Sequence, residues 1–304
     1  MSDAEAIERF PCFGGQATVI VSGAGPGGSA AGAAALARTR LLEWHDQFSR
    51  FEQASELARV NADPRWTVPV SPVMARLIAA IIDAARTSGG LVDATLLGEI
   101  ERAGYSVHFD SEPLPLGVAL AAAPPRMPGR PNPVSRWREV TLDPHDGTVT
   151  RPPGVRFDGG GIAKGLFGDI LAGVLGCHES FVVDCAGDLR LGGRAALARP
   201  VQVASPFDDA IVHTVELVAG AAATSGIGRR SWLDADGRPA HHLLDPSTGA
   251  PAFTGIVQVT ALAPSAVEAE VLTKTALLRG PAGAAATLHH GGVLVYDDGR
   301  IEIC

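Results

Sequence analysis

Asp158-Gly159-Gly160-Gly161-Ile162-Ala163-Lys164-Gly165 is the densest polar stretch of the chain and the one from which its organisation reads outward. Three glycines in a row let the backbone approach a ligand closely, and the apolar spacing over 163–175 predicts a helix directly behind them. A helix start offers free N–H groups and a positive dipole end to phosphate, and Lys164 adds a mobile charge beside them. The same residues also make an ordinary tight turn capped by Asp158, so the stretch gains meaning from its surroundings.

On the N-terminal side, residues 137–155 read as a hairpin with 144–147 in the turn. Farther upstream, 17–22 alternate as a strand, and helices are predicted over 34–48, from Ser55, and over 73–85 behind Pro72, where Gly89-Gly90 stops the last. On the C-terminal side, a strand at 181–185, a hairpin at 201–204 and 213–217, and a strand at 257–263 precede a helix over 265–278. Two short strands at 292–303 close the chain. Helices and antiparallel hairpins mix without regular strand–helix alternation, which predicts an α+β fold with mixed or antiparallel sheets and packed helices. Residues 1–9 are expected to be a tail and 10–304 one domain, with loops at 23–32 and at the Pro/Ala/Gly-rich 112–133.

With 304 residues the chain can bury a large core, and 46% hydrophobic against 19% charged residues excludes disorder over its length. A formal net charge of −8, with no basic run interleaved with aromatics, excludes a dedicated nucleic-acid surface. No stretch approaches a membrane span, and the start carries Asp3, Glu5 and Glu8 with no apolar segment, so a cytoplasmic location is expected. Cys12, Cys177, Cys185 and Cys304 lack zinc or redox spacing and are expected reduced, with Cys177 and Cys185 buried.

Gly23-Ala24-Gly25-Pro26-Gly27-Gly28 satisfies G-x-G-x-x-G after a strand, the signature of a dinucleotide fold. That fold needs a second strand ending in an acidic residue, whereas Glu43 and Asp46 lie within the continuing helical pattern. A glycine-rich loop is the better reading.

Behind Asp158–Gly165 come, in order, Ala186-Gly187-Asp188, Ala223-Thr224-Ser225-Gly226 and His241-His242-Leu243-Leu244-Asp245-Pro246-Ser247-Thr248-Gly249. Ahead of it stand Phe48-Ser49-Arg50-Phe51, Ser55-Glu56-Leu57-Ala58-Arg59-Val60-Asn61 and Gly90-Leu91-Val92-Asp93-Ala94-Thr95. Singly these are small, polar, turn-forming segments. As an ordered set from about residue 10 onward they resemble the ApbE family, the FAD:protein FMN transferases. The resemblance implies that FAD lies between two closely associated lobes, that its diphosphate is cleaved, and that FMN passes to a Ser or Thr of an acceptor protein with release of AMP. It implies Phe51, Leu91, Val92, Asp93, Asp158, Lys164 and Leu243 at FAD, and His242, Lys164 and Asp245 in catalysis; by residue type alone, Ser225 can hydrogen-bond a phosphate and Lys274 can neutralise the diphosphate as a point charge. His242 is then the base and Asp245 orients its loop. It further implies magnesium held by the Gly161 carbonyl, Glu270 and Thr273.

One departure stands out. The family's metal-site helix carries Asp-x-x-Asp/Ala-Thr, and this chain has Glu270-Val271-Leu272-Thr273-Lys274. A protonated lysine cannot ligate magnesium and repels it at close range, so the ion is either replaced by Lys274 or kept with Lys274 turned to solvent. Two other activities are compatible with such a site: FAD binding without catalysis, and FAD hydrolysis to FMN and AMP. Asp146-Gly147-Thr148-Val149-Thr150 reads as a hairpin turn rather than a flavin acceptor.

Overall fold

The computed structural model describes residues 5–26, 28–108 and 112–304. Ala17, Val19 and Val21 alternate along the strand Gly15–Ser22 and are fully buried, so one face of this strand is committed to a core. It belongs to a sheet of eight strands, in the order Ala6–Cys12, Gly15–Ser22, Ser180–Cys185, Leu189–Gly192, Gly220–Gly226, Ile256–Ala263, Gly292–Tyr296 and Ile301–Ile303. Every adjacent pair is antiparallel. A dinucleotide fold rests on parallel strands, so this topology removes the G-x-G-x-x-G reading. Gly25 and Gly28 instead exchange backbone hydrogen bonds of 3.1 and 3.0 Å ahead of the helix Ala30–Phe48, which Ser29 caps.

Two cores share this sheet. One gathers Leu41, Met74, Leu77, Ile78 and Phe167 with the strand residues Val19, Val21 and Val183. The other packs Ala269, Ala276 and Leu277 against Ala221, Ala223, Val259 and Leu294. The helices Ala163–Leu175 and Ala266–Arg279 join them, and they touch at Gly165, where a Cβ would lie 2.7 Å from the Ala266 carbonyl. Asp169 fastens the contact by accepting from the N–H groups of Ala266 (2.9 Å) and Val267 (3.0 Å) and from Arg190 Nε (3.0 Å).

Several expectations change. Residues 6–9 are no tail, because Ala6–Cys12 pairs along its whole length with Gly15–Ser22 and sinks Phe10 and Cys12 into the core. The loop expected at 23–32 ends early, since Ser29 starts its helix at Ala30. The stretch 112–133 contains the helix Leu116–Ala121, held by burial of Leu116 and Ala119 without any side-chain cap. Cys177 is half-buried, and Cys12 takes the buried place beside Cys185. Ala-Thr-Ser-Gly, composed like a turn, forms the end of the interior strand Gly220–Gly226. Ala221 and Ala223 bury almost completely in the core shared with the helix Ala266–Arg279, and Ala222 buries beside Val182, Leu191 and Val201, so close packing overrides weak β propensity.

Among the described residues, no helix is long and apolar enough to cross a membrane.

Candidate active site

A cavity of about 1180 Å³ opens where the two cores meet, and the polar motifs converge on it. That lies just above the usual range for a small-ligand site and suits a dinucleotide better than a fragment. Its walls include Phe51, Leu91, Val92, Asp93, Asp158, Gly161, Lys164, Ser225, His242, Leu243, Glu270 and Lys274. Of the residues expected from sequence, Thr273 and Asp245 do not line it.

The glycine end is built from the backbone upward. Asp158 donates its own N–H to the Ala94 carbonyl (2.8 Å) and accepts from Gly160 N–H (2.8 Å), bending Gly159–Gly161 into one tight turn. The helix Ala163–Leu175 then starts with no capping side chain from Ile162, and of its first N–H groups only that of Gly165 is taken by a side chain, the Glu270 carboxylate. Lys164 reaches the cavity and holds Asp188 at 2.6 Å. Asp188 is 2% exposed and sits behind a sharp turn in which Ala186 and Gly187 have φ of 56° and 99°. Burial works against the charge on Lys164, but Asp188 and Glu270 outweigh it and hold its pKa above 10.5.

The facing helix supplies a second pair. Lys274 Nζ donates to Glu270 Oε1 at 3.2 Å and to the Glu270 carbonyl at 3.3 Å. Glu270 Oε2 accepts from Gly165 N–H at 3.0 Å. Burial pushes the Glu270 carboxyl above 4.5 even with Lys274 attached. Thr273 is fully buried; its hydroxyl donates to the Glu270 carbonyl and meets Ser225 Oγ, both at 2.8 Å.

These residues do not fit a magnesium ion. Both Glu270 oxygens are engaged, the Thr273 hydroxyl is used within the protein, and an ammonium lies beside Gly161, where a Cβ would meet Lys274 Cε at 3.1 Å. Thr273, expected as a ligand, does not line the cavity, and Glu270, expected as another, lines it but pairs with the chain's own cation.

On the opposite wall, Phe51 packs against Tyr105 and His108 with ring centroids 5.6 Å apart in each case. Arg50 lies over Phe51 at 4.2 Å and over Tyr105 at 4.5 Å, and its Nε is 3.7 Å from Asp158. Asp93 accepts from Thr95 with Oδ1, whereas Oδ2 is buried without a protein partner. Burial raises its pKa.

His242 is half-buried at the wall, and its Nδ1 has no hydrogen-bond partner. Burial, then Arg230 and His241, drive its pKa well below 6.5, so the ring is neutral near pH 7 and able to take a proton. His241 points into the core instead, edge-on to Phe253 at 4.8 Å, with its pKa lowered by burial to about 3. Asp245 organises a turn, accepting from Arg130 N (2.8 Å) and from Ser247 N and Oγ (3.0 Å each). It supports the His242 loop and takes no place at the cavity.

Arg50, Arg230, Asp184 and Asp188 line the site and were not singled out as site residues from the sequence. Arg229-Arg230, a basic pair in an acidic chain just behind Ala-Thr-Ser-Gly, carried a usable signal. Arg50 did not, because its role depends on Tyr105 folding over it.

The profile described as the ApbE family matches residues 13–296. A protein of Klebsiella pneumoniae named FAD:protein FMN transferase is 26% identical over 257 residues, which cover 82% of this chain and 71% of that one. One of the same name from Escherichia coli is 25% identical over 266 residues, covering 84% and 73%. Among solved structures, the ApbE protein from Thermotoga maritima superposes with a TM-score of 0.79 at 24% identity, covering 99% of this chain and 97% of that one. The flavin transferase ApbE from Vibrio cholerae gives 0.74 at 21%, with the same coverage, and both likenesses establish the fold.

Proposed function

The chain belongs to the ApbE family, and from that premise we infer that it is an FAD:protein FMN transferase, cleaving FAD and placing FMN on a hydroxyl of an acceptor protein. The observation that carries this reading is the convergence of a glycine-lined helix start, two ammonium groups and a neutral histidine on one cavity of dinucleotide size.

The diphosphate lies against the N–H groups ahead of Lys164, with Lys164 and Lys274 flanking it and Ser225 within its wall. The flavin and adenosine ends take the apolar walls at Phe51, Leu91, Val92 and Leu243, where Asp93 Oδ2 is free to accept from a ring or ribose donor. The acceptor is a Ser or Thr side chain. Its hydroxyl oxygen forms a bond to the FMN phosphorus while the bridging P–O bond to AMP breaks. The hydroxyl proton passes to His242, and AMP leaves with the electron pair of the broken bond. The ammonium groups stabilise charge that grows on the leaving phosphate. Asp245 holds the loop that carries the base.

The test is direct. The protein is incubated with FAD and the acceptor domain of one of the matched transferases, and covalent flavin and free AMP are followed together. Equal amounts of both are expected. AMP without an acceptor would identify FAD hydrolysis instead, and tight FAD binding without AMP would identify a binding protein.

A further inference from the structure

The chain contains 25 lysines and arginines, and only two of them are lysine: Lys164 and Lys274. Arginine serves in every other basic position, from the surface pair Arg40–Glu43 to the cavity residues Arg50 and Arg230. The two exceptions line the same cavity, and each contacts a carboxylate that is almost fully buried. From this placement we infer that Lys274 is a built-in replacement for a divalent metal, so that this protein binds and cleaves the FAD diphosphate without magnesium. The inference rests on the FMN-transferase reading above.

Geometry explains why lysine is required. A Cβ at Gly161 would crowd the Lys274 stem at 3.1 Å, and a planar guanidinium needs more width than a tetrahedral ammonium. Glu270 stands one helical turn before Lys274, the i to i+4 spacing that holds the ammonium over the carboxylate. The other Glu270 oxygen is tied to Gly165 N–H, so the carboxylate lies between the two lysine-bearing helices. The result is a compact positive charge at the glycine turn, with three N–H donors to share between Glu270 and a phosphate oxygen. A divalent ion placed there would meet an ammonium within a few Å and a carboxylate already engaged.

Having only two lysines also makes the idea measurable apart from turnover. Protein grown with 13C-labelled lysine gives two side-chain ε-methylene signals, assigned with Lys274→Met. FAD is expected to shift both signals in EDTA, and magnesium is expected to leave both unchanged with and without FAD. FAD titration by flavin fluorescence should give a Kd that differs by less than about twofold between EDTA and magnesium. Lys274→Met should weaken binding roughly 10–100-fold, the value of one charged hydrogen bond. Lys274→Thr should lose as much in EDTA and regain affinity when magnesium is added.

Magnesium that shifts the Lys274 signal, or that tightens FAD binding to the unaltered protein about tenfold or more, overturns the inference. So does an unchanged Kd in a folded Lys274→Met. If either variant fails to fold, the titration and spectra of the unaltered protein still decide. FMN transfer seen only with magnesium removes the metal substitution and keeps the transferase, whereas metal-independent FAD binding with no transfer does the reverse.

Discussion

Lys164–Asp188 and Lys274–Glu270 are chemically alike but built differently. The first spans two elements, a helix start and a strand turn 24 residues later, at 2.6 Å. The second lies within one helix, four residues apart, at 3.2 Å. Among the described residues Asp188 meets no second cation and accepts one long bond from Thr224 N–H at 3.4 Å, whereas Glu270 receives the Gly165 N–H at 3.0 Å and leans by burial toward its protonated form. Glu270 keeps a firm backbone donor when its lysine is lost, whereas Asp188 keeps only the long Thr224 contact. Lys164 therefore holds architecture and ligand together, and Lys274 is the more purely functional of the two.

The largest expected effect tests whether proton transfer is separate from both pairs. His242→Asn should lower kcat about 10²–10⁴-fold while leaving FAD affinity intact. If FAD affinity falls equally, the imidazole belongs to the binding charge and not to the chemistry. Because the ring's pKa is depressed, kcat/KM of the unaltered enzyme should stay level as pH falls through 6.5, the ordinary histidine value.

Next comes the architectural pair. Lys164→Met should cost roughly 3–5 kcal/mol in denaturant titrations, because Asp188 is left buried without its partner. Lys164→Met combined with Asp188→Asn should recover most of that stability without recovering FAD binding.

Gly165→Ala strikes the contact that both pairs share. A methyl 2.7 Å from the Ala266 backbone forces the helices apart, for about 1–3 kcal/mol. The 13C signal of Lys274 should move with it. A signal that stays in place would show the two pairs to be independent.

Lys274→Met should be the mildest in stability and carry a distinctive pH dependence. A folded-state pKa raised above the unfolded one means that the folded form holds its proton longer, so stability is full below 4.5 and declines as pH rises through the elevated value. Removing the nearby ammonium raises that value further. The deficit of the variant relative to the unaltered protein should therefore grow with pH above 4.5 in denaturant titrations.

Much of the fold was legible. The helix over 163–175 follows from apolar spacing behind a glycine turn and has those bounds in the structure. Pro72 and Ser55 marked their helices through local chemistry, one with a fixed φ and the other with a hydroxyl that accepts from Ala58 N–H. Ala-Thr-Ser-Gly was illegible as a strand, because nothing in four small residues shows the helix that will lie on them. Thr273 failed as a ligand for a related reason: its oxygen suits a metal, but its neighbours Ser225 and the Glu270 carbonyl claim it first.

The sequence alone determined the local devices: which segments turn or wind, which motifs succeed one another, and that Lys274 stands one turn after Glu270. Tertiary structure decided what those devices face. Periodicity and caps act over a few residues and are written in adjacent side chains. Whether an oxygen is free, a histidine neutral or an ammonium seated against a glycine depends on burial and on groups that only folding brings together, as Gly165 and Glu270 are across a separation of 105.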